Sequence, residues 1–312
     1  MSQQPAVSII MPAYNAQATI AASIQSVRAQ TLKNWELIIV DDGSEDQTAE
    51  VASEIARHDS RICIIQRPNR GPSIARNAGA DLARAHVLAF LDADDMWAAE
   101  RLTGMLIKFR DEPGAGVLFS RTRFIDADTL EPGTLTPHSE QLSASDIMSE
   151  NALCSTSNIV CLKRVFEETG GFTPDLKYAE DQDWLLRVAL EGKWQIMGVD
   201  AEWFFYRSAR ESQSADLDAM RRGWFRMVEA AKVEFPEKTE RAIKRAFGPI
   251  HRQLARRALR MGQSRRALKF LIIALRRDPL LLFRQPKRTS LTLIGTALSF
   301  IPNSKLKELV AR

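Results

Sequence analysis

A doubly wound, mostly parallel α/β sheet followed by an all-α C-terminal region is the fold this sequence predicts. Three observations predict it. Short apolar runs alternate with helix-length amphipathic stretches through the N-terminal third, the pattern of a parallel sheet. Each run stops at a cluster of turn-forming or acidic residues, as strand ends do. From about Gln213 onward the chain reads as helix almost throughout, and its charge changes there too. Residues 221–312 carry 23 Lys and Arg against 6 Asp and Glu, whereas the residues before them carry 20 against 33. An acidic body with a basic helical tail implies two units, divided as 1–212 and 213–312.

Val7 to Met11 is a short buried strand, stopped by Pro12 and the turn former Asn15. Ala16 to Gln30 follows as a helix with Ile20, Ile24 and Val27 on one face. Trp35 to Val40 is the second strand, ending in Asp41, Asp42, Gly43 and Ser44. Asp46 to Arg57 repeats the helical period with Thr48, Val51 and Ile55 inward. Arg61 to Ile65 is the third strand, Gly71 to Arg84 the third helix, and Val87 to Leu91 the fourth strand. The period then loosens. Arg101 to Phe109 reads as helix and Gly116 to Ser120 as strand, while residues 131–145, rich in Pro, Ser and Thr, read as a loop and candidate lid. A short helix starts at Val165, and Glu180 to Leu190 is another with Trp184, Leu185 and Val188 inward. Trp194 to Val199 is a late strand.

With 312 residues, 45% hydrophobic and 26% charged, the chain has the make-up of a soluble globular protein with a substantial core. Its three cysteines form no CxxC pair, which favours a reducing compartment and argues against structural zinc. Met1 to Ala6 is too short and polar for a signal peptide, and Leu291 to Ile301 too short and too broken by Thr, Gly and Ser to span a bilayer. A cytoplasmic protein is expected. The four histidines are scattered without ligand spacing and read as structural or surface residues.

Chemistry is suggested where strands end. Ligands of open α/β sheets bind outside the carboxyl ends of the strands, and there the fourth strand delivers Asp92, Asp94 and Asp95. Three carboxylates packed together repel, and a hard divalent cation, Mg²⁺ or Mn²⁺, relieves that repulsion while holding phosphates. The same stretch also reads as a solvated acidic turn capping the helix near Ala98. The tips Pro12–Asn15 and Asp41–Ser44 share this rim if the crossovers are right-handed. There Tyr14 can stack on a base, a carboxylate can take a uracil imide, and Gly43 lets the backbone approach; a plain strand-to-turn transition is the alternative. Arg76 and Asn77 at the third helix suit phosphate and ribose or carboxylate, unless Arg76 is simply a surface residue and Gly79 a packing contact. No G-x-G-x-x-G follows strand one and no Walker GK[ST] occurs, so dinucleotide and P-loop readings fail. Glu180-Asp181 sits at a helix N-terminus, whose dipole keeps a carboxylate ionised, in either a cap or a general base.

Val7 to Asn15, Val40 to Ser44, Gly71 to Gly79, Leu91 to Asp95 and Glu180 to Trp184, in this order, resemble family 2 glycosyltransferases of the GT-A fold. The similarity runs from residue 5 to about 212. It implies a nucleotide-sugar donor site in which Asp42 contacts the base, Tyr14 stacks beside it at the Pro12 turn, Arg76 meets phosphate and Asp92 lies by the ribose. By the same resemblance Asp94 is the direct ligand of Mg²⁺ or Mn²⁺, with Asp92 and Asp95 beside it, and Asp181 is the base, with Glu180 orienting it or touching the acceptor. Tyr206-Arg207 resembles the family's late Tyr-Arg segment, where the Arg approaches the diphosphate; here Ser208 to Ser212 stands where a histidine often follows. The Gln-x-x-Arg-Trp motif of processive synthases does not occur. What is implied is inverting transfer of one sugar, UDP-linked, to a glycan or lipid-linked acceptor in cell-surface polysaccharide assembly.

In the tail, Leu254, Ala255, Ala258, Gly262, Ala267, Leu271, Ala274 and Pro279 match one tetratricopeptide-like hairpin over about 248–281. One such unit cannot bury its own face, so it packs on the body, on Ala219 to Lys232, or on another subunit of a homo-oligomer. Its arginines present a basic face, either merely solvated or meeting an anionic membrane surface, with Leu291 to Leu306 lying in the interface; this would place the protein at the inner face of the cell membrane. Nucleic acid is excluded as a partner because aromatics are not interleaved with the basic residues. Two competing functions are a catalytically silent sugar-nucleotide scaffold and a sugar-phosphate nucleotidyltransferase. The latter wants a Gly-rich basic loop after strand one, which this chain does not have.

Overall fold

Every residue of the two strands Val7–Ala13 and Trp35–Asp41 is buried, because apolar runs flanked by polar turns can satisfy their backbone only inside a sheet. The structure, a computed structural model, describes residues 4–149, 153–174, 176, 179–208 and 216–301. In chain order its first elements are β1 (Val7–Ala13), α1 (Ile20–Arg28), β2 (Trp35–Asp41), α2 (Thr48–Ala56), β3 (Ile62–Gln66), α3 (Pro72–Leu82) and β4 (Val87–Phe90). Then come β5 (Met96–Trp97), α4 (Arg101–Asp111), β6 (Ala115–Asp126), β7 (Pro132–Leu135), α5 (Ala144–Ser149), β8 (Val160–Leu162), α6 (Lys163–Glu168), α7 (Glu180–Glu191) and β9 (Gln195–Ser208). The last five are helices: α8 (Leu217–Glu234), α9 (Pro236–Arg260), α10 (Ser264–Arg277), α11 (Leu281–Arg284) and α12 (Pro286–Leu298).

The chain forms two compact units, one of Met1–Ser143 with Ala152–Arg210, the other of Ala144–Asn151 with Glu211–Arg312. The single cut expected at 212 did not include the excursion of α5 into the second unit. There the carbonyl of Met148 accepts the indole N–H of buried Trp224 at 2.8 Å.

In the first unit one sheet runs β3-β2-β1-β4-β8-β6-β9-β5, with β7 on the side of β6. β3, β2, β1 and β4 are parallel to one another, and β6 runs parallel to β9. Alternation of side chains makes the winding double. Ile9, Met11, Leu37 and Ile39 face a cluster with Ile20, Ile24 and Val27 of α1, while α3 lies on the other face, where Gly79 approaches Ile10 and Val40. Each fully buried aliphatic contributes about 1.5–3 kcal/mol, so these two layers fix the parallel register.

Three elements differ from expectation. Residues 131–145 are not a free lid: β7 pairs with β6, Thr136 N–H donates to the Thr122 carbonyl at 2.9 Å, and Gly198 N–H to that of Glu140 at 2.8 Å. Pro132-Gly-Thr-Leu135 carries no apolar alternation and starts on proline, which suits an edge strand but hides it in the sequence. β9 extends well past Val199, because Asp200 and Ala201 are absorbed as a bulge opposite Ser120 and Arg121 rather than ending the strand. β5 is too short to have a period.

The second unit packs Leu254, Ala255 and Ala258 of α9 against Ala267, Phe270 and Leu271 of α10, with Leu217 of α8. These are the small and apolar positions expected of the hairpin, and Gly262 lies in its turn at φ 69°. Asp216 caps α8 by accepting the N–H groups of Asp218 at 3.0 Å and Ala219 at 2.9 Å, a contribution of about 1 kcal/mol. Of the expected interfacial segment Leu291 to Leu306, residues 302–306 lie outside the described residues.

Candidate active site

Parallel pairing sets Ala13 opposite Asp41 and Ile10 opposite Phe90, so the ends of β1, β2 and β4 open on one rim. The rim is stitched across by side chains. Asn15, at φ 48°, donates its N–H to Ser44 Oγ at 3.0 Å and takes that of Glu45 on Oδ1 at 2.9 Å. Asp41 Oδ1 accepts the N–H and the hydroxyl of Ser44. Gly43, at φ 76°, has no room for a side chain: a Cβ would meet Asn69 N at 2.9 Å. Above this framework Tyr14 is exposed, while Pro12 is buried within β1. Asp42 is buried and fully engaged, its two oxygens accepting the backbone N–H groups of Arg70 at 3.0 Å and Gly71 at 2.8 Å. The carboxylate expected at the base therefore shapes the loop entering α3.

Arg76, 5% exposed, reaches from α3 to two acids remote in sequence. Its Nη2 donates to Asp92 Oδ1 at 2.6 Å and its Nη1 to Glu180 Oε1 at 3.2 Å. Burial alone would weaken this guanidinium's hold on its proton, but Asp92 and Glu180, with Asp181 behind them, raise it above the usual arginine range. Its Nε–H has no hydrogen-bond partner among the described residues, an orphaned donor beside the carboxylates. Asn77, read in the sequence as a polar ligand, instead exchanges two hydrogen bonds with the backbone of Phe172, at 2.7 and 3.0 Å. This pins the approach to α7.

The three acids after β4 have different surroundings. Asp92 takes Arg76 on one oxygen and the Ser155 hydroxyl on the other at 3.3 Å, and its N–H donates to Ser157 Oγ at 2.9 Å. Asp95 is buried, accepts the Arg207 N–H at 3.1 Å, and is raised well above the usual carboxylate range by burial and then by Asp94 and Asp92. Asp94 keeps part of its surface open to solvent, yet the protein crowded around it and the charge of Asp92 push it up to about 6. No side chain among the described residues donates a hydrogen bond to it. Arg207 clasps this turn from β9, its Nε–H meeting the Asp94 carbonyl at 2.8 Å and its Nη1 the Ala127 carbonyl at 3.2 Å.

At the start of α7, Glu180 is pushed up to about 7 by burial, against the pull of Arg76 and with the push of Asp181. Asp181 is buried, and its Oδ1 takes the Gln182 N–H at 2.7 Å. Behind the pair, Trp184 is fully buried and donates its indole N–H to Thr169 Oγ1 at 2.7 Å, which ties α7 to the end of α6. Among the described residues no three of His, Cys, Asp and Glu converge as a ready-made metal cage.

Ser155 and Ser157 were not foreseen, and Tyr206 was named only as part of the Tyr-Arg segment, without a role. The serines sit on and beside the 3₁₀ turn Thr156–Asn158, which Trp97 grips through its indole N–H to the Ser157 carbonyl at 3.0 Å. Tyr206 is raised above the tyrosine range by burial and by Asp95, Asp94 and Asp92. Nothing in their spacing marks the serines; the Tyr-Arg pair was the available signal for Tyr206.

Residues 8–170 match the family described as Glycosyl transferase family 2, more than half of the chain. The chain belongs to that family. Family 2 membership rests on the strand tips and the Asp92–Asp95 turn, since the match stops before Glu180, Asp181 and Arg207. Among curated relatives, the Escherichia coli UDP-Glc:alpha-D-GlcNAc-diphosphoundecaprenol beta-1,3-glucosyltransferase WfaP is 32% identical over 60% of this chain and 70% of its own length. The putative teichuronic acid biosynthesis glycosyltransferase TuaG of Bacillus subtilis is 27% identical over 80% of this chain and 98% of its own. Among solved structures, residues 1–349 of S. aureus TarS in complex with UDP-GlcNAc superpose at a TM-score of 0.66 with 17% identity, covering 98% of this chain and 90% of that one. At that identity the likeness speaks for the GT-A fold alone.

Proposed function

We propose that this family 2 glycosyltransferase moves one sugar, with inversion and without processivity, from a UDP-linked donor to a lipid-linked glycan in cell-surface polysaccharide assembly. The observation that carries the reading is the buried Arg76 clamp, which ties Asp92 on the strand rim to Glu180 at the start of α7. It brings the donor-side and acceptor-side acids into one cluster. The names of WfaP and TuaG support the donor, acceptor and pathway class, and the UDP-GlcNAc bound to TarS supports the nucleotide.

In this reading Tyr14 offers its exposed ring to the base, and the loop held by Asp42 bounds the base pocket. The orphaned Arg76 Nε–H is a donor for a ligand oxygen on the sugar-nucleotide side. Asp181 takes the proton of the acceptor hydroxyl as its oxygen attacks C1 on the face opposite the nucleotide. The C1–O bond to the diphosphate breaks and its electron pair leaves with UDP. The α7 N-terminus favours the ionised base, and Glu180, fixed by Arg76, orients the acceptor. Mg²⁺ or Mn²⁺ fits the free carboxylate of Asp94, because an added positive charge offsets the burial and the mutual repulsion that raise Asp94 and Asp95. Asp95 supports from behind and Arg207 keeps the turn in place. When bound, the cation supplies charge neutralisation for the leaving diphosphate.

The test is product formation from UDP-sugars and a synthetic prenyl-diphosphate-linked GlcNAc, with wild type and Asp181→Asn. Turnover should fall about a thousandfold in Asp181→Asn with UDP affinity unchanged. Full turnover by the variant would overturn the assignment of the base.

A further inference from the structure

The last of the described helices, α12, is packed with its polar side inward. α12 buries Thr289, Thr292, Gly295 and Thr296, and each threonine satisfies its hydroxyl on a carbonyl four residues back, at 2.7–2.8 Å. Leu293 packs toward the core, but Leu291 and Ile294 face out, 62% and 54% exposed. Together with Lys287 and Leu298 they fall at helical spacing on one stripe.

α10 and α11 bury apolar residues yet expose others beside basic ones. On α10, Arg265, Leu268, Lys269, Ile272 and Arg276 share one exposed stripe, apolar and basic residues interleaved. Leu280 and Phe283, the latter 79% exposed, project at α11, and α12 packs against both α10 and α11. From Ser264 to Ile301 the chain carries eight Lys and Arg and one acid, Asp278. That acid is buried and paired with Arg284, so it lends the surface no negative charge.

We propose that α10, α11 and α12 form a docking surface for an anionic lipid bilayer. Leu268, Ile272, Phe283, Leu291 and Ile294 enter the acyl boundary, while Lys269, Arg276 and Lys287 lie among the headgroups. The charge pattern decides the occupant. Exposed aliphatics interleaved with Lys and Arg suit a surface that is negative outside and apolar just beneath, and the long basic side chains can extend to the headgroups. A symmetric contact with a second copy would set these basic faces against each other. Nucleic acid would leave the aliphatic stripe unused. Among the described residues no helix is long and apolar enough to cross a membrane, so the contact is interfacial. The proposal stands on this unit alone and does not depend on the transfer reaction, although a lipid-linked acceptor would give it a use.

The test is co-sedimentation of the full chain with phosphatidylcholine vesicles, with and without about one-third phosphatidylglycerol. Wild type should pellet with the anionic vesicles and be released by high salt. Leu291→Asp with Ile294→Asp, and separately Lys269→Glu with Arg276→Glu, should each weaken partition at least about tenfold. Circular dichroism verifies their folding, and Phe283→Ser, at a side chain almost wholly in solvent, gives a third reading with little demand on the core. Wild type remaining in the supernatant would overturn the proposal, as would variants that partition like wild type. So would light scattering in which Leu291→Asp with Ile294→Asp dissolves an oligomer while vesicle binding stays the same, since the face would then be a protein interface.

Discussion

Replacing Arg76 by methionine keeps an unbranched apolar stem and removes the guanidinium that joins Asp92 to Glu180. The variant loses hydrogen bonds of 2.6 and 3.2 Å and leaves two carboxylates without their cation in a closed site. Breaking one side of such a buried pair costs about 3–5 kcal/mol. At about 2–4 °C per kcal/mol for a unit of this size, the melting temperature should fall by roughly 10 °C. The loss should depend on pH, with a definite sign. Glu180 already titrates at about 7 with Arg76 present, so the folded chain binds more protons there than the unfolded chain, and stability falls as pH rises from 4.5 toward 7. Without Arg76, which holds Glu180 down, that window extends upward, and the deficit against wild type should widen from about pH 6 to about pH 8.5. Thermal unfolding in chelator at both pH values measures it. An equal deficit at both, or a variant as stable as wild type, would refute the clamp.

Asp42→Ala leaves the N–H groups of Arg70 and Gly71 unsatisfied in a buried loop, which should cost about 2–5 kcal/mol in denaturant unfolding and weaken UDP binding as the loop shifts. Gly79→Ala would place a Cβ 2.5 Å from Ile10 Cγ2, between α3 and the sheet, and should cost about 1–3 kcal/mol by the same assay with the site chemistry untouched. Because Asp94 titrates at about 6, a cation has to displace its proton below that pH. Apparent Mn²⁺ affinity should be level above neutrality and fall by up to about tenfold per pH unit below 6, and a flat profile down to about pH 5 would remove Asp94 as the ligand.

The parallel half of the fold was legible because β1, β2 and β4 are buried on both faces and so leave uninterrupted apolar runs. The rim was legible for the same reason, since each run ends where its polar residues begin. Partnership was not legible. Arg76 and Glu180 lie 104 positions apart, and an arginine at a helix start reads as a phosphate ligand until the acids on both sides are seen. The support of Asp92 by Ser155 and Ser157 depends on a 3₁₀ turn fixed by Asn158, whose amide meets the Ser120 carbonyl at 2.7 Å and whose Oδ1 meets buried Arg101 at 3.1 Å. Burial lowers Arg101 to about 9, and its place as a core cation had no sequence sign beyond a helix start. Periodicity also says which residues of α12 share a face but not which face turns inward. There the threonines won the interior by bonding to their own helix.

The most direct test of the central claim is calorimetric titration of UDP, GDP and dTDP into the purified protein, with Mn²⁺ and with chelator, for wild type and Asp94→Ala. The account predicts UDP binding that needs the cation and is lost in Asp94→Ala, with melting temperature unchanged in that variant. A folded wild-type protein that binds none of the three nucleotides would contradict it.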